Sequence, residues 1–358
     1  MKKYRNISHI ASHDFKLSPF TLFTKSLLIL GIASLAVPVF HGCSRQCCSL
    51  DSDFTEASTK ASVKLAVHNI TEPGIRSVDA LVFNDDILQR IDCYQHVEDI
   101  RNGTIQIGSC NGEKIVFLCA NSQWDKDDWR ESRSFHSLND RKAELENEDR
   151  AYPLMSSFIH VEAGSNVAET RLERLSSIVR LRSVSCDFSG KPYAGEKITD
   201  AKVYLTNVNG SCSILQADAY RIERIINYGG LIPDDIHAFR DSSLVISHLG
   251  TISTETAYPE TELLCYPNTV TEETAGAPFT RLVIEGKIQE ETWYWPININ
   301  RGCSNSHEGI QGNTIYTYDI VIRRKGTQDP DNPITPEAAE TTFETERWSE
   351  KEEYHVAF

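Results

Sequence analysis

One cysteine is placed where chemistry can be done on it. Gly42-Cys43 closes an apolar run from Leu27 to Phe40, and Lys2, Lys3, Arg5, Lys16 and Lys25 precede that run. The run is short for a bilayer span, and its order, basic then apolar then small, is that of an export signal. A small residue followed by Cys suits a lipoprotein signal peptidase. Gly42 fits a tight subsite, and the Cys43 thiol accepts the diacylglycerol. On this reading residues 1–42 are a lipoprotein signal peptide and Cys43 becomes a lipidated, palmitate-bearing terminus that ties the precursor to the outer membrane. Phe40 and His41 stand where Leu and a small residue are usual, so an ordinary secretory signal or a failed anchor helix competes with it. The polar leader before Lys25 is long, which fits a start downstream of Met1.

No other stretch carries a reaction. The sequence has no GxSxG elbow, P-loop, GxGxxG turn or HExxH pair. His136, His160 and His237 fall in different segments, and the acidic run Asp125-Lys126-Asp127-Asp128 reads as a solvated face. Asp329, Asp331 and Asn332 lack the spacing of a calcium loop and fit a turn better. Trp293, Tyr294 and Trp295 could stack on a sugar, but alternation puts Trp293, Trp295 and Ile297 on one strand face, which favours core packing. No catalytic residue, cofactor or metal ligand is expected, and the chain reads as a non-enzyme. Formal charge is −15 over 358 residues, and residues 1–42 carry five positive charges against one negative, so the remainder is near −19. Nucleic acid is therefore excluded as a partner. The ten cysteines show no CxxC pair, so zinc is not expected. Cys93 with Cys110, or Cys186 with Cys212, could pair outside the cytosol, and Cys119 reads as a small core residue.

The elements that must position any site are strands. Residues 43–58 form a polar tether. Ala61, Val63, Leu65 and Val67 then share one face of an alternating strand. Pro73-Gly74 breaks the chain, and SVDALVFND is apolar on both faces, as a central strand would be. GTIQIGS, EKIVFLCANS and YPLMSSFIHVEAG follow as strands. Residues 137–148 are expected to form the one clear helix, capped by Ser137 with Asp140 at the third position. A second β set begins near Ser177 with SIVRLRSVSCDF and DAKVYLTNV, and closes with ETELLCYPN, TRLVIEGKI, ETWYWPININ and NTIYTYDIVIRR. RIERIIN reads equally as helix or strand. This spacing predicts an all-β chain of sandwiches or barrels, with a joint near 170–178.

The two ends are complementary. Residues 326–336 carry Pro330, Pro333 and Pro336 and are expected to run extended and stiff. Behind them Tyr354, Val356 and Phe358 alternate with His355 and Ala357. Loss of Ala61–His68 would leave an unpaired edge beside an apolar groove, and such an edge recruits a foreign strand. The tail of another copy could fill the pockets of Val63, Leu65 and Val67. In the competing reading the first strand keeps its place and the tail pairs within its own domain.

The order of these motifs resembles the FimA-type fimbrillins, pilus subunits of anaerobic Gram-negative bacteria. The resemblance rests on Cys43, ASVKLAVHN, Arg76, VDALVFND, GEKIVFLCANS, LMSSFIHVEAG, RLSSIVRLRSVSCDF, GNTIYTYDIVIRRKGTQDPDNPIT and the closing W-x-x-x-x-E-x-x-V-x-F pattern. It implies two transthyretin-like β-sandwich domains with one short helical insert, at 59–175 and 176–325, and a 326–358 tail of spacer and donor strands. It implies an outer-membrane, cell-surface fimbrium as location and other fimbrial subunits as partners. It further implies cleavage between Arg76 and Ser77 by an Arg-specific protease, displacement of Ala61, Val63, Leu65 and Val67, and polymerisation by Tyr354, Val356 and Phe358. The cut is expected in an exposed, mobile segment. Only Ser77 separates Arg76 from the core strand, where relatives often have a longer acidic linker. A basal or monomeric surface lipoprotein that binds glycan or host protein is the alternative.

Overall fold

The computed structural model describes residues 61–68, 74–98, 100, 103–215, 222–301, 308–334 and 339–348. In the first half the strands are β1 (Ala61–Val67), β2 (Val78–Asn84), β3 (Ile91–Val97), β4 (Thr104–Ser109), β5 (Gly112–Ala120), β6 (Lys142–Glu144), β7 (Met155–Ala163), β8 (Ala168–Thr170) and β9 (Glu173–Arg174). In the second they are β10 (Ser177–Cys186), β11 (Ile198–Thr206), β12 (Val208–Asn209), β13 (Ser211–Ser213), β14 (Ile225–Ile226), β15 (Ile246–Ile252), β16 (Thr261–Cys265), β17 (Arg281–Ile288), β18 (Glu291–Asn298), β19 (Thr314–Ile322) and β20 (Ala339–Arg347). The protein is all-β.

Each half is a pair of layered sheets. A three-stranded sheet, β4-β1-β8, faces a five-stranded one, β3-β2-β5-β7-β9. Val63, Leu65, Val67, Ile105 and Ile107 of the first meet Val78, Ala80, Val82, Val116 and Leu118 of the second. The second half packs β16-β10-β19-β20 against β15-β11-β17-β18. Tyr316, Tyr318, Ile320 and Ile322 of β19 are all buried there, as their alternation requires. The five-stranded sheet also has an apolar back. Leu81, Phe83, Phe117 and Cys119 lie against Trp129, Leu138 and Leu145, and this layer runs on into the second core. That is why VDALVFN and KIVFLCA are apolar on both faces.

Several expectations change. Residues 137–148 are not a helix: a 3₁₀ turn at Phe135–Asp140, β6 and a second 3₁₀ turn at Leu145–Asn147 occupy the region. Ser134 is the cap, and Ser137 closes the capping box from its third position. A short helix lies earlier, at Lys126–Arg130, where Asp125 and Asp128 make the capping box, so the acidic run caps a helix as well as facing water. A second covers Pro233–Ala238. Within RIERIIN, Ile225 and Ile226 form a two-residue strand on β12. Neither suggested disulfide forms: Cys186 and Cys212 are free thiols, buried like Cys119 and Cys265, and the buried Cys93 thiol donates to Tyr94 O at 3.7 Å. Cys110 is disulfide-bonded.

The spacer is docked rather than free. Thr327 and Tyr294 exchange backbone hydrogen bonds of 2.8 and 3.0 Å, and Ile334 N–H donates to Pro296 O at 3.1 Å. Asp331 accepts from Asn207 Nδ2 at 2.7 Å and pairs with the buried Arg281 at 2.5 Å. Asp329 and Asn332 close a turn there, as their composition suggested. The arm that could reach outward therefore starts later than residue 326. The chain returns as β20, antiparallel to β19 at the sheet edge.

Candidate functional site

The first strand lies in the middle of its sheet. β1 pairs antiparallel with β4 from Ala61↔Ser109 to Ala66↔Thr104, and parallel with β8 from Leu65↔Ala168 to Val67↔Thr170. Val63, Leu65 and Val67 are 2%, 0% and 2% exposed, Ala61 is half-buried at the entrance, and Lys64 faces water. The buried row contributes on the order of 5–9 kcal/mol of apolar transfer. Fixing the backbone of seven residues costs about as much. Taking β1 out would leave β4 and β8 flanking a slot floored by the small and branched side chains of Ala80, Val82, Val116 and Leu118.

The chain between this strand and the core ends at Arg76 and Ser77. Arg76 is exposed, as expected, but it is held. Its guanidinium lies 3.3 Å over the Tyr152 ring and 3.5 Å from Asp149. Its backbone N–H donates to Asn121 Oδ1 at 2.9 Å. Asn121 Nδ2 donates to Gly74 O and Pro153 O at 2.7 and 2.8 Å, and Asn121 N–H to Ser77 O at 3.1 Å. Asn121 sits at φ 56°, a left-handed position that Asn tolerates. Gly74 has φ 97°, and a Cβ there would sit 2.9 Å from Ala151 O, so no other residue fits the turn. Val78, two residues past Arg76, is already paired on both sides in β2. A protease that takes Arg76 must first lift it from Tyr152 and loosen this end of β2.

The adjacent cleft, of about 380 Å³, also includes Glu148 and Arg240. Glu148 is buried. It accepts from Leu154 N–H at 3.2 Å and from Tyr266 O–H at 2.9 Å, which ties the first half to the second. Burial outweighs those hydrogen bonds and pushes its carboxyl up to about 7. Tyr266, buried beside it, is raised well above the ordinary phenol range.

Cys43 and the donor residues Tyr354, Val356 and Phe358 lie outside the described residues. The rival sugar platform is part of the core: Trp295 is fully buried with its indole N–H on Arg324 O at 3.0 Å, and Trp293 packs half-buried beside it. His160 pairs with Asp85 at 2.7 Å, far in sequence from His136 and His237. Among the described residues no group of His, Cys, Asp or Glu could hold a metal ion. Sequence reasoning missed Tyr152, Asp149 and Glu148, which sit in or just past a segment it read as helix. Asn121 it saw only as the end of a strand.

The described residues form a two-layer β fold whose first strand lies in the middle of its sheet, with the exposed Arg76 following it. No family model and no curated protein matches the sequence. Solved structures do. The chain is similar to a fimbrilin (FimA) from Porphyromonas gingivalis W83, with a TM-score of 0.59 and 14% identity, over 81% of this chain and 98% of that one. It is similar to a protein of Bacteroides eggerthii provisionally named for cell adhesion, with a TM-score of 0.60 and 13% identity over 80% and 96% of the two chains. One from Parabacteroides distasonis, named likewise, gives 0.58 and 15% over 82% and 98%. The chain has the FimA-type fold.

Proposed function

We propose that this protein is a structural subunit of a cell-surface fimbrium, made as a Cys43-lipidated precursor in two domains, 59–175 and 176–325. An Arg-specific protease cuts between Arg76 and Ser77, the first strand leaves, and the 353–358 strand of another subunit enters. The observation that carries this reading is β1 itself. It is central in its sheet, buried only through Val63, Leu65 and Val67, and followed by an exposed arginine. Tyr354, Val356 and Phe358 repeat its spacing. The fold shared with a fimbrilin supports a fimbrial or adhesive role at the cell surface. The grip on Arg76 favours a second reading, a basal subunit that keeps both lipid and β1. N-terminal sequencing of assembled fibres decides between them. A start at Ser77 is expected of a shaft subunit. Ala61–Val67 still attached in that material overturns the shaft reading.

A further inference from the structure

A reactive trio unrelated to strand exchange lies between the sheets of the first half. Lys114 on β5 and Asp92 on β3 have side chains only 1% and 2% exposed, and Lys114 Nζ lies 3.1 Å from Asp92 Oδ2. The same Nζ is 2.6 Å from Oδ1 of Asn84, the last residue of β2. Asn84 and Lys114 are register partners on adjacent strands, and Asp92 comes from the strand on the other side of β2. Asp92 Oδ2 is fixed from the facing sheet, accepting from Ser109 O–H at 2.8 Å and from Cys110 N–H at 2.9 Å. An amine, a carboxamide and a shielded carboxylate thus meet within hydrogen-bond distance. As a mere ion pair this is a costly arrangement, since two charges leave water for one contact. As a reaction site it is complete.

We propose that Lys114 and Asn84 join through an intramolecular isopeptide bond, with Asp92 as the proton carrier. A proton moves from the Lys114 ammonium to Asp92 Oδ2, which discharges both groups where neither is hydrated and frees the Nζ lone pair. Nζ attacks Cγ of Asn84, one bond beyond the oxygen it already touches, and the carbonyl electrons move onto Oδ1. The carbonyl reforms as the Cγ–Nδ2 bond breaks. Nδ2 leaves as ammonia, taking one proton from the attacking nitrogen, and the proton on Asp92 departs with it as ammonium. The products are one secondary amide and one ammonium ion, with no oxidant, reductant or co-reactant. Contact at this distance between groups held on neighbouring strands replaces a bimolecular encounter, a gain worth an effective molarity of roughly 10⁵ M or more. The link would clamp the central pair β2 and β5, the sheet that must hold its shape if β1 departs.

Tandem mass spectrometry of a reduced tryptic digest of the exported full chain tests this. The expected product is a branched peptide, 77–90 joined to 102–126, uncut after Lys114 and lighter by one ammonia than its two parts. The three linear peptides 77–90, 102–114 and 115–126 in place of the branched one overturn the proposal. A branched peptide lighter by one water, joining Lys114 to Asp92, overturns Asn84 as the acceptor. Asp92→Asn keeps the shape of the carrier without its base, and that variant, if folded by circular dichroism, is expected to give only the linear peptides. A branched yield equal to the parent's overturns the role of Asp92. Because the readout is a bond in the precursor, it is independent of whether the protein polymerises.

Discussion

The substitution Glu148→Gln should remove a pH dependence from the stability of the folded chain. In the fold this carboxyl is raised from 4.5 to about 7, chiefly by burial. Between those values the folded state keeps a proton that the unfolded state has released, so stability falls as pH rises. The loss begins near the unfolded value and is complete above about 7. A shift of this size corresponds to about 3 kcal/mol, an upper figure for a group that gains from rearrangement as it ionises. A glutamine in this position can accept from Leu154 N–H through its oxygen and donate to Tyr266 Oη through its amide, so the joint between the halves keeps both contacts without a charge. Urea unfolding of parent and variant at pH 4.5, 6 and 8 measures the difference. The variant should match the parent at the lowest pH and exceed it at the highest, by an amount that grows with pH. Equal slopes for the two proteins would refute the argument, because they would mean that Glu148 is ionised in the fold at all three values or is not buried.

Two further outcomes are expected. Tyr152→Ala should speed nicking after Arg76 by an Arg-specific protease about fivefold, since losing a stacking contact of about 1 kcal/mol raises the released population by that factor; unchanged cleavage kinetics of the folded precursor would show that the grip does not limit access. Val356→Asp should abolish SDS-resistant ladders while His355→Asp on the opposite face is milder, because only the first sets a charge in the apolar row; equal damage by gel would remove alternation as the basis of joining.

The alternation of Ala61–Val67, the two-sided apolar strands VDALVFN and KIVFLCA, and the buried aromatics of TIYTYDIVI were legible in the chain because side-chain direction in a strand follows parity alone. The inward row of the first strand and the exposed Arg76 behind it were legible from the same local pattern. Tertiary structure decided what depends on partners remote in sequence. Asp149 and Tyr152 grip Arg76 from just beyond a segment whose spacing imitates a helix, but which is bent into 3₁₀ turns where Leu138 and Leu145 must cover Phe117 and Trp129. Asp331 locks the proline spacer onto Arg281, although prolines in isolation favour a free extended path. Lys114 stands on the inward row with Val116, Leu118 and Ala120, the one charge in an apolar stripe. Parity alone marks it as buried. Only the packing of β2 and β3 beside it supplies Asn84 and Asp92, because a buried amine is defined chemically by the groups that replace its water.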